Sequence, residues 1–523
     1  MNSKLSNNLI TNERFLNIEY AQFEMEKSRW SIRNTTNSTK LISNKNNELG
    51  TVSPQLIIKN DLIMSEASVQ NQSEHCLNLN IFRSIKNNTE NQQSHRPVMV
   101  WIHGGGFTVG AGSLPIYDGS NLAKATNTIV VTLNYRLGSL GFLRLVDITD
   151  NEITSTGNEG LEDQITALKW IQENIHLYGG DKTNITLFGE SAGAMSIACL
   201  LAMPKTKGLF HKAIMQSGAG HTFNTVEQAN DLAKEFLVSA RELGFEISQN
   251  KPREQAKQLK QLTTSEVLSI QTHLTTRPDI YSKFGILPFK PVVGDLDLPL
   301  APYEAIKQGC AIDIPIISGS NTDEWTLFSA MLKQKITDEK HLALSLTPLI
   351  GIEKVARVTQ LMTKQCQQRG LEPTPQNLLS EALTEFWFTQ PCYRLLNAQH
   401  TAGGKAYGYK LGRKTIIPSL ACTHITDIGL VFGNTSSAFH GEEPRVIALV
   451  NEIQTCWETF AYTGQLSHAK ILWPEFISSQ NENKTKSTPT LLFFDHDQSY
   501  DNDVDAQSIE FWSKISDKQL SSF

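Results

Sequence analysis

The sequence lacks a hydrophobic stretch long enough to cross a membrane, for which about 20 consecutive apolar residues are needed. Its longest apolar run, residues 192–204, is interrupted by Ser196 and predicts a buried helix instead. Residues 1–11 lack the apolar core that a secretory signal carries. We therefore expect no membrane span and no secretion signal.

Clusters of positive charge are also missing. The formal net charge is −6, and the lysines and arginines are scattered along the chain. A protein that binds nucleic acid usually presents a basic patch or stripe. We therefore expect no nucleic acid partner, and we interpret the mildly acidic balance as a feature that favours solubility.

Cysteine is scarce and shows no paired pattern. The cysteines are odd in number, widely spaced and without a C-x-x-C pair, so the pattern suggests neither a disulfide framework nor a zinc site. We expect no metal, no cofactor and a location in the reducing cytoplasm. The seven positions are Cys76, Cys199, Cys310, Cys366, Cys392, Cys422 and Cys456.

What the sequence does contain is enough apolar material for a large core. Of its 523 residues 40% are hydrophobic and 19% are charged, as in a globular protein. Residues 1–75 are rich in Asn, Ser and Lys and predict irregular structure or short edge strands. We interpret the chain, residues 1–523, as a single catalytic domain with this irregular segment at its start.

From about residue 96 the pattern alternates between strands and helices. Short runs rich in Val, Ile and Leu are each followed by glycines or polar residues and then by helical periodicity. Continuous apolar strands are typical of a mostly parallel sheet with both faces covered, which predicts an α/β fold. The predicted strands are residues 98–103, 129–134, 185–188, 213–216, 314–318 and 405–410.

Helical periodicity accounts for much of the remaining chain. Apolar residues at helical spacing predict helices over residues 161–175 and 226–243. Two longer stretches, residues 224–274 and 327–388, are mostly helical in pattern and interrupt the series of strands. We interpret them as helical insertions over the top of the sheet, where such segments often form lids.

The strongest chemical signal is the segment GESAG at residues 189–193. It follows the predicted strand 185–188 and precedes the predicted helix 192–204, the context in which a G-x-S-x-G serine is a nucleophile. Gly189 and Gly193 are needed because the serine sits on a sharp turn where a side chain would collide with neighbouring backbone. Ser191 is therefore the predicted nucleophile, with a chance match as the alternative.

A serine nucleophile needs hydrogen-bond donors for the oxyanion that it creates. The segment HGGGF at residues 103–107 follows a predicted strand, and its glycines let backbone N–H groups approach a negative charge. We assign Gly105, Gly106 and the N–H of Ala192 as the oxyanion hole. A plain turn is the alternative. A phosphate-binding loop is disfavoured for two reasons. Val109 stands where a G-x-G-x-x-G motif that begins at Gly104 needs its third glycine, and no lysine follows as in a P-loop.

The supporting acid and base are expected on loops after later strands, in that order. The strand 314–318 is followed by a loop that carries both Asp323 and Glu324, and the strand 405–410 is followed, after an excursion, by His424. Both loops leave the carboxyl edge of the sheet, where open α/β folds place their sites. The residues alone leave the choice between the two carboxylates open.

In these motifs the chain resembles the type-B carboxylesterases, the group that includes the cholinesterases. It is most similar to the bacterial para-nitrobenzyl esterase-like members of that group. The resemblance covers the chain from about Cys76 onward. It rests on these segments: CLNLNI at residues 76–81, HGGGF at 103–107, YDG at 117–119, NYRLG at 134–138, GGDKTNITLFGESAG at 179–193, QSGA at 216–219, NTDE at 321–324, HITDIGLVFG at 424–433 and WP at 473–474.

The resemblance implies an α/β-hydrolase fold and a serine carboxylesterase with a Ser191–His424–Glu324 triad. It implies that Glu324 rather than Asp323 orients the histidine, and that His424 rather than His440 or His211 is the base. Activity is then expected to fall as the pH drops through the pKa of His424, since a protonated imidazole cannot act as a base. A small-molecule ester is the expected substrate.

Two alternatives accompany this interpretation. One is a non-catalytic cholinesterase-like interaction protein, which usually lacks part of the triad. The other is lipase, amidase or thioesterase activity at the same site. His75, Lys182 and Trp325 depart from the family pattern, so the shape of the pocket is poorly inherited. Acyl preference and oligomeric state are not indicated by the sequence.

Overall fold

The fold is described by a computed structural model. It covers residues 10–22, 29–36, 48–57, 69–86, 95–466, 473–477, 490–493, 498–501 and 506–521. The strands in these ranges are β1 (Ile10–Glu19), β2 (Asn78–Lys86), β3 (Arg96–Ile102), β4 (Ile129–Leu133), β5 (Gly180–Glu190), β6 (Lys212–Gln216), β7 (Asn224–Thr225), β8 (Val292–Val293), β9 (Ile316–Asn321), β10 (Ala406–Leu411), β11 (Thr490–Phe493) and β12 (Gln498–Asp501).

One large sheet dominates the described residues. Its strand order is β1-β2-β4-β3-β5-β6-β9-β10-β11-β12, and a separate small sheet pairs β7 with β8. The pairs from β4 through β3, β5, β6, β9 and β10 to β11 are parallel, while the pairs at the two edges are antiparallel. Parallel strands align their carboxyl ends, so the loops after β3, β5, β6, β9 and β10 meet at one edge.

Both faces of the sheet are covered, as the apolar strands predict. In β3 the side chains of Val98, Val100 and Ile102 belong to one core cluster, and those of Met99 and Trp101 belong to the other. This alternation is the period of two that a strand imposes on its side chains. A strand buried on both sides has no reason to alternate apolar with polar residues.

The helices fill the connections between the strands. They are α1 (Ser120–Thr126), α2 (Gly138–Gly141), α3 (Glu159–Asn174), α4 (Ala192–Ala202), α5 (Val226–Glu242), α6 (Pro252–Gln261), α7 (Thr264–Thr276), α8 (Pro278–Phe284), α9 (Pro302–Lys307), α10 (Trp325–Met331), α11 (Glu339–Ile350), α12 (Ile352–Gln368), α13 (Pro375–Thr384), α14 (Gln390–Thr401), α15 (Thr426–Phe432), α16 (Pro444–Thr463), α17 (Ala506–Ser513) and α18 (Asp517–Leu520). A π-helical turn, Glu385–Thr389, joins α13 to α14, and short 3-10 turns occupy Pro115–Tyr117, Ile175–Tyr178 and Pro204–Thr206.

The predicted elements agree with the structure. The six predicted strands correspond to β3, β4, β5, β6, β9 and β10, and the predicted helices correspond to α3, α4 and α5. The largest difference in bounds is at the start of β5, where the polar residues after Gly180 form an exposed part of the strand that has no apolar signal. The helical insertions extend beyond the predicted ranges, to Phe284 at the end of α8 and to Thr401 at the end of α14.

The N-terminal segment needs a correction. Residues 1–75 were expected to be irregular or to form short edge strands. The strand β1 does lie at the edge of the sheet, but it is ten residues long and pairs with β2 along most of its length. Phe15, Leu16 and Ile18 are buried, while Asn17 between them and the flanking residues Arg14 and Glu19 are exposed. A β-bulge between Phe15 and Ile18 breaks the period of two, which explains why the sequence carries no clear strand signal.

No helix in the described ranges is both long and apolar enough to cross a bilayer. Residues 1–9, which include most of the stretch expected to lack a secretion signal, lie outside these ranges.

Candidate active site

Ser191 lies on the sharp turn between β5 and α4. Its backbone has φ 54° and ψ −125°, a conformation that non-glycine residues rarely adopt. The turn is tightly packed against β3, because a Cβ at Gly193 would lie 2.0 Å from the carbonyl oxygen of Ile102, and one at Gly189 would lie 2.7 Å from it. Both glycines are therefore required, and Ala192 begins a helix directly after the serine.

The glycine loop, residues 103–110, follows β3 and faces this turn. A Cβ at Gly104 would lie 3.1 Å from the Cβ of Ser191, so the two backbones are in close approach. Gly105 and Gly106 have φ of 105° and 59°, in the region that favours glycine. Both glycines line the same cavity as Ser191. The structure thus brings the predicted oxyanion residues Gly105 and Gly106 next to the predicted nucleophile.

His424 and Glu324 form a buried pair. The Nδ1 atom of His424 lies 2.6 Å from Oε2 of Glu324. The other carboxylate oxygen, Oε1, accepts hydrogen bonds of 2.6 Å from the hydroxyl of Ser217 and from the backbone N–H of Asn321. Because these bonds fix the carboxylate, the imidazole is held in the tautomer that leaves Nε2 free to accept a proton.

Asp323, the alternative acid, faces a different partner. Its carboxylate pairs with Arg369 at 2.7 Å and accepts a hydrogen bond of 3.3 Å from the backbone N–H of Cys422. The backbone N–H of Asp323 in turn donates to the carbonyl of Cys422 at 3.0 Å. Asp323 therefore ties the loop of Glu324 to the loop of His424 and does not contact the imidazole.

The other candidate histidines have structural partners. Nε2 of His440 lies 3.2 Å from the carbonyl oxygen of Thr426, and burial lowers the pKa of His440 to about 4. Nδ1 of His211 accepts a hydrogen bond of 3.1 Å from the backbone N–H of Ile185. Neither lines the cavity that contains Ser191.

Glu190, directly before the nucleophile, is a second carboxylate beside the imidazole. Its Oε1 lies 3.1 Å from Nε2 of His424, on the side opposite Glu324. Within the described residues Nε2 makes no hydrogen bond to a side chain or to the backbone. Ser191 and His424 line the same cavity, and in serine hydrolases the Ser–His hydrogen bond is often long before substrate binds.

The two carboxylates control the charge of the imidazole. Burial lowers the pKa of His424, but the negative charges of Glu190 and Glu324 outweigh it and raise the pKa to about 9. Burial also raises the pKa of Glu190 well above its ordinary value, and the attraction of His424 offsets only part of that rise. The two carboxylates beside His424 therefore favour the imidazolium, the form that arises when the base takes a proton.

Sequence reasoning missed both Glu190 and Ser217. Glu190 occupies the variable position of G-x-S-x-G, so the motif itself assigns it no role. Ser217 belongs to the QSGA segment directly after β6, and its φ of 52° marks an unusual turn. The position of this serine after a strand at the carboxyl edge was the available signal.

The cavity above Ser191 has a volume of about 320 Å³ and a mostly apolar wall. One part of its wall is the glycine loop together with Ser191 and His424. Another part comes from residues that follow α8 and from α10 with the residue after it. The lining residues are Gly104, Gly105, Gly106, Thr108, Val109, Gly110, Leu114, Tyr117, Glu190, Ser191, Ile286, Leu287, Leu327, Phe328, Met331, Leu332, His424, Ile425 and Ile428. The second predicted insertion, residues 327–388, thus contributes to the wall of the cavity, whereas no lining residue belongs to the first, residues 224–274.

Aromatic rings pack around the imidazole. The ring centroids of Phe328 and Phe388 lie 5.0 and 4.7 Å from that of His424. The ring centroid of Trp387 lies 4.7 Å from that of Trp325. Neither Trp387 nor Phe388 is among the residues that line the cavity. The second insertion therefore packs the rings of Phe328 and Phe388 against His424, and these rings exclude water from the imidazole.

Comparisons with known proteins show which family the chain is similar to. A sequence model described as the carboxylesterase family matches residues 2–512. The chain is 36% identical over 468 residues to para-nitrobenzyl esterase of Bacillus subtilis, covering 88% of this chain and 86% of that protein. It is 29% identical over 460 residues to an acetylcholinesterase of Leptinotarsa decemlineata, covering 82% and 70% of the two chains. A solved structure of PNB esterase superposes with a TM-score of 0.78 at 31% identity, covering 97% of this chain and 96% of that one.

Proposed function

The chain belongs to the carboxylesterase family, and we propose that it hydrolyses carboxylic esters with Ser191 as nucleophile, His424 as base and Glu324 as the acid that orients the base. It is a carboxylic ester hydrolase with the α/β-hydrolase fold expected from its sequence. One observation carries the assignment of residues. A strained serine, a glycine loop and a buried His–Glu pair line or adjoin one cavity.

In the proposed mechanism, His424 Nε2 takes the proton of Ser191 as Oγ attacks the ester carbonyl. The carbonyl oxygen becomes an oxyanion, which the N–H groups of Gly105, Gly106 and Ala192 stabilise. His424 then gives its proton to the leaving alcohol, and an acyl-enzyme remains. Water attacks this acyl-enzyme with His424 again as base, so the acid is released and Ser191 regains its proton.

Glu190 favours the charged state that arises during this sequence. When His424 holds the proton, carboxylates lie 2.6 Å from its Nδ1 and 3.1 Å from its Nε2. In a buried site such charges are weakly screened, so they stabilise the imidazolium strongly. The same carboxylates raise the pKa of the base, and we therefore propose that the acidic limb of the pH–rate profile lies above the ordinary pKa of an imidazole.

The apolar wall supports esters with uncharged, hydrophobic acyl or alcohol groups as substrates. Among the residues that line the cavity, the carboxylate is Glu190, and it already faces His424. The described wall therefore offers no second carboxylate that could bind a cationic alcohol group, although one relative is an acetylcholinesterase. An alkyl chain gains free energy from leaving water in such a cavity.

Two coarser points belong to the same proposal. We treat residues 1–523 as one catalytic domain, which is supported by the ten-stranded sheet that joins β1 near the start to β12 near the end. We also propose a reducing compartment, the cytoplasm, for the enzyme. The free thiols of all seven cysteines, six of them buried, support that location.

The test is hydrolysis of p-nitrophenyl esters of increasing acyl length, with matched anilides and thioesters, by the wild type and by Ser191→Ala. We expect ester turnover that is lost by about 10⁶-fold in the variant, and much slower anilide turnover. Faster anilide or thioester turnover would assign a different reaction to the site. No turnover of any of them by folded wild-type protein would contradict the proposed function and favour an interaction protein.

A further inference from the structure

Gln55 contacts the far end of the glycine loop with both ends of its side-chain amide. Its Nε2 donates to the carbonyl oxygen of Gly110 at 2.9 Å, and its Oε1 accepts from the N–H of Gly110 at 2.8 Å. The side chain therefore satisfies both backbone groups of one residue, as a neighbouring strand does in a sheet. Gln55 is 3% exposed, and Gly110 is buried.

The backbone of Gly110 lies close to the residues at the start of the glycine loop. A Cβ placed on Gly110 would lie 2.7 Å from the carbonyl oxygen of Gly104 and 2.6 Å from Nδ1 of His103. Between these ends the loop closes as a tight turn, because the N–H of Val109 donates to the carbonyl of Gly105 at 3.0 Å. Because these backbones are in close approach, a shift of Gly110 is expected to displace the backbone around Gly104 and Gly105.

The amide of Gln55 is itself held in place. Its backbone N–H donates to Oε1 of Gln72 at 3.0 Å, and its Nε2 also donates to the carbonyl of Ser53 at 3.0 Å. The hydroxyl of Ser53 accepts a hydrogen bond of 3.2 Å from the N–H of Leu137, which belongs to the core. The segment 51–57 is thus fixed on both sides and presents a preorganised amide to the loop.

From this geometry we propose that Gln55 is a positioning residue for the oxyanion hole, an inference that rests on the proposed function. Its amide fixes Gly110, Gly110 fixes the glycine loop, and the loop aims the N–H groups of Gly105 and Gly106 at the oxyanion. Donors that are already in place when the charge develops need no reorganisation, which is the source of their effect on rate. Part of the N-terminal segment therefore serves catalysis.

Removing the amide leaves the N–H and C=O of Gly110 buried without partners. Buried backbone groups are nearly always hydrogen-bonded, so the loop is expected to rearrange until they find new partners. A displacement of the donors weakens binding of the oxyanion more than binding of the uncharged ester, because a charge depends more strongly on donor position. The expected signature is a fall in kcat with little change in KM.

The experiment compares Gln55→Met with the matched control Gln399→Met. Gln399 is also fully buried and also donates to backbone carbonyls, those of Ala311 and Ile314, both at 2.9 Å, but it does not line the cavity. Both variants lose the hydrogen bonds of a buried side-chain amide, so both should melt at a lower temperature than the wild type. Only Gln55→Met should lose oxyanion stabilisation.

Two quantities are measured for each protein. The first is kcat and KM for a p-nitrophenyl ester. The second is Ki for an alkyl trifluoromethyl ketone, whose carbonyl carbon bonds to Ser191 Oγ while its oxygen becomes an oxyanion and the serine proton passes to His424. We expect Gln55→Met to lower kcat and raise Ki by about 10- to 100-fold each at nearly constant KM. For Gln399→Met both values should stay within about twofold of the wild type.

The variant Gln55→Glu keeps the length of the side chain and an acceptor for the Gly110 N–H. It should lie between the wild type and Gln55→Met, and it replaces Gln55→Met in the comparison if that protein does not fold. Two results would overturn the positioning role. One is that kcat falls and Ki rises by the same factors in the Gln55 and Gln399 variants, and the other is that neither value changes in either variant. A wild-type enzyme that neither hydrolyses the ester nor binds the ketone would instead contradict the proposed function.

Discussion

The two sides of the active site are built in different ways. On the nucleophile side, Ser191 and the glycine loop are placed by backbone packed against backbone, with glycines where a Cβ would collide. On the acid–base side, Glu324 and His424 are placed by side-chain hydrogen bonds, from Ser217 to Glu324 and from Asn321 to the loop of His424. One half of the site therefore depends on the absence of side chains and the other on their presence.

The contrast predicts different responses to substitution. Adding a single methyl group to the nucleophile side should disturb the fold itself, because backbone atoms cannot move aside cheaply. Removing one hydrogen-bonding group from the acid–base side should leave the fold intact and change the rate or its pH dependence. Four substitutions, in decreasing order of expected effect, separate the two halves.

Gly193→Ala should abolish activity and lower the free energy of unfolding by about 3 kcal/mol, because the new Cβ would lie 2.0 Å from the carbonyl oxygen of Ile102. Chemical denaturation and an ester assay measure both effects. Gly208→Ala is the control, since nothing lies within 4 Å of the Cβ position of Gly208; its φ of 82° adds backbone strain but no collision. Near-normal activity in Gly193→Ala would mean that the turn is not tightly packed.

Glu324→Gln should lower kcat by about 10⁴-fold without unfolding the protein, since an amide holds the imidazole in the wrong tautomer. Asp323→Asn is the matched control, because Asp323 contacts Arg369 and Cys422 and should lose less than about tenfold. Steady-state kinetics decide between them. A larger loss in Asp323→Asn than in Glu324→Gln would reverse the assignment of the acid.

Ser217→Ala should lower kcat by about tenfold, because Glu324 loses one of its hydrogen bonds and orients His424 less firmly. Ser320→Ala offers a comparison on the same edge of the sheet, since its hydroxyl contacts Thr389 at 3.2 Å and not the triad. That variant should keep its kcat. Equal rates in the two variants would show that Ser217 has no part in holding the acid.

Glu190→Gln should shift the pH dependence more than the maximal rate. The charge of Glu190 helps to raise the pKa of His424, so its removal lowers that pKa and frees the base at lower pH. We expect the acidic limb of the kcat/KM profile to move down by about 1 pH unit or more. Glu159→Gln, which removes another buried carboxylate, should leave the limb in place. An upward shift in Glu190→Gln would contradict the arrangement.

The same contrast determines how much could be predicted from the sequence. The backbone side was predictable because glycines at fixed spacing, such as those of GESAG and HGGGF, report a steric requirement directly. Strands buried on both faces, such as β3 and β4, were equally clear because short continuous apolar runs between turn residues are typical of such strands.

The side-chain half could not be derived in the same way. Glu324 and His424 are 100 residues apart, and nothing local distinguishes Glu324 from Asp323. The choice between them came from resemblance to a family. Glu190 and Gln55 act through contacts that only the folded chain creates, so a pattern search had no signal for them, and Ser217 had only its position after a strand at the carboxyl edge. The edge strand β1 was unclear because one of its sides faces water and a bulge breaks its period.

The most direct measurement is covalent labelling with a fluorophosphonate, followed by mass spectrometry of the digested protein. Fluorophosphonates react with a serine whose proton is taken by a neighbouring base, so the label reports the nucleophile and its activation together. We expect one label, on Ser191, and none in Ser191→Ala or in enzyme held well below the pKa of His424. A label on any other residue, in protein that still hydrolyses esters, would contradict the assignment of the nucleophile.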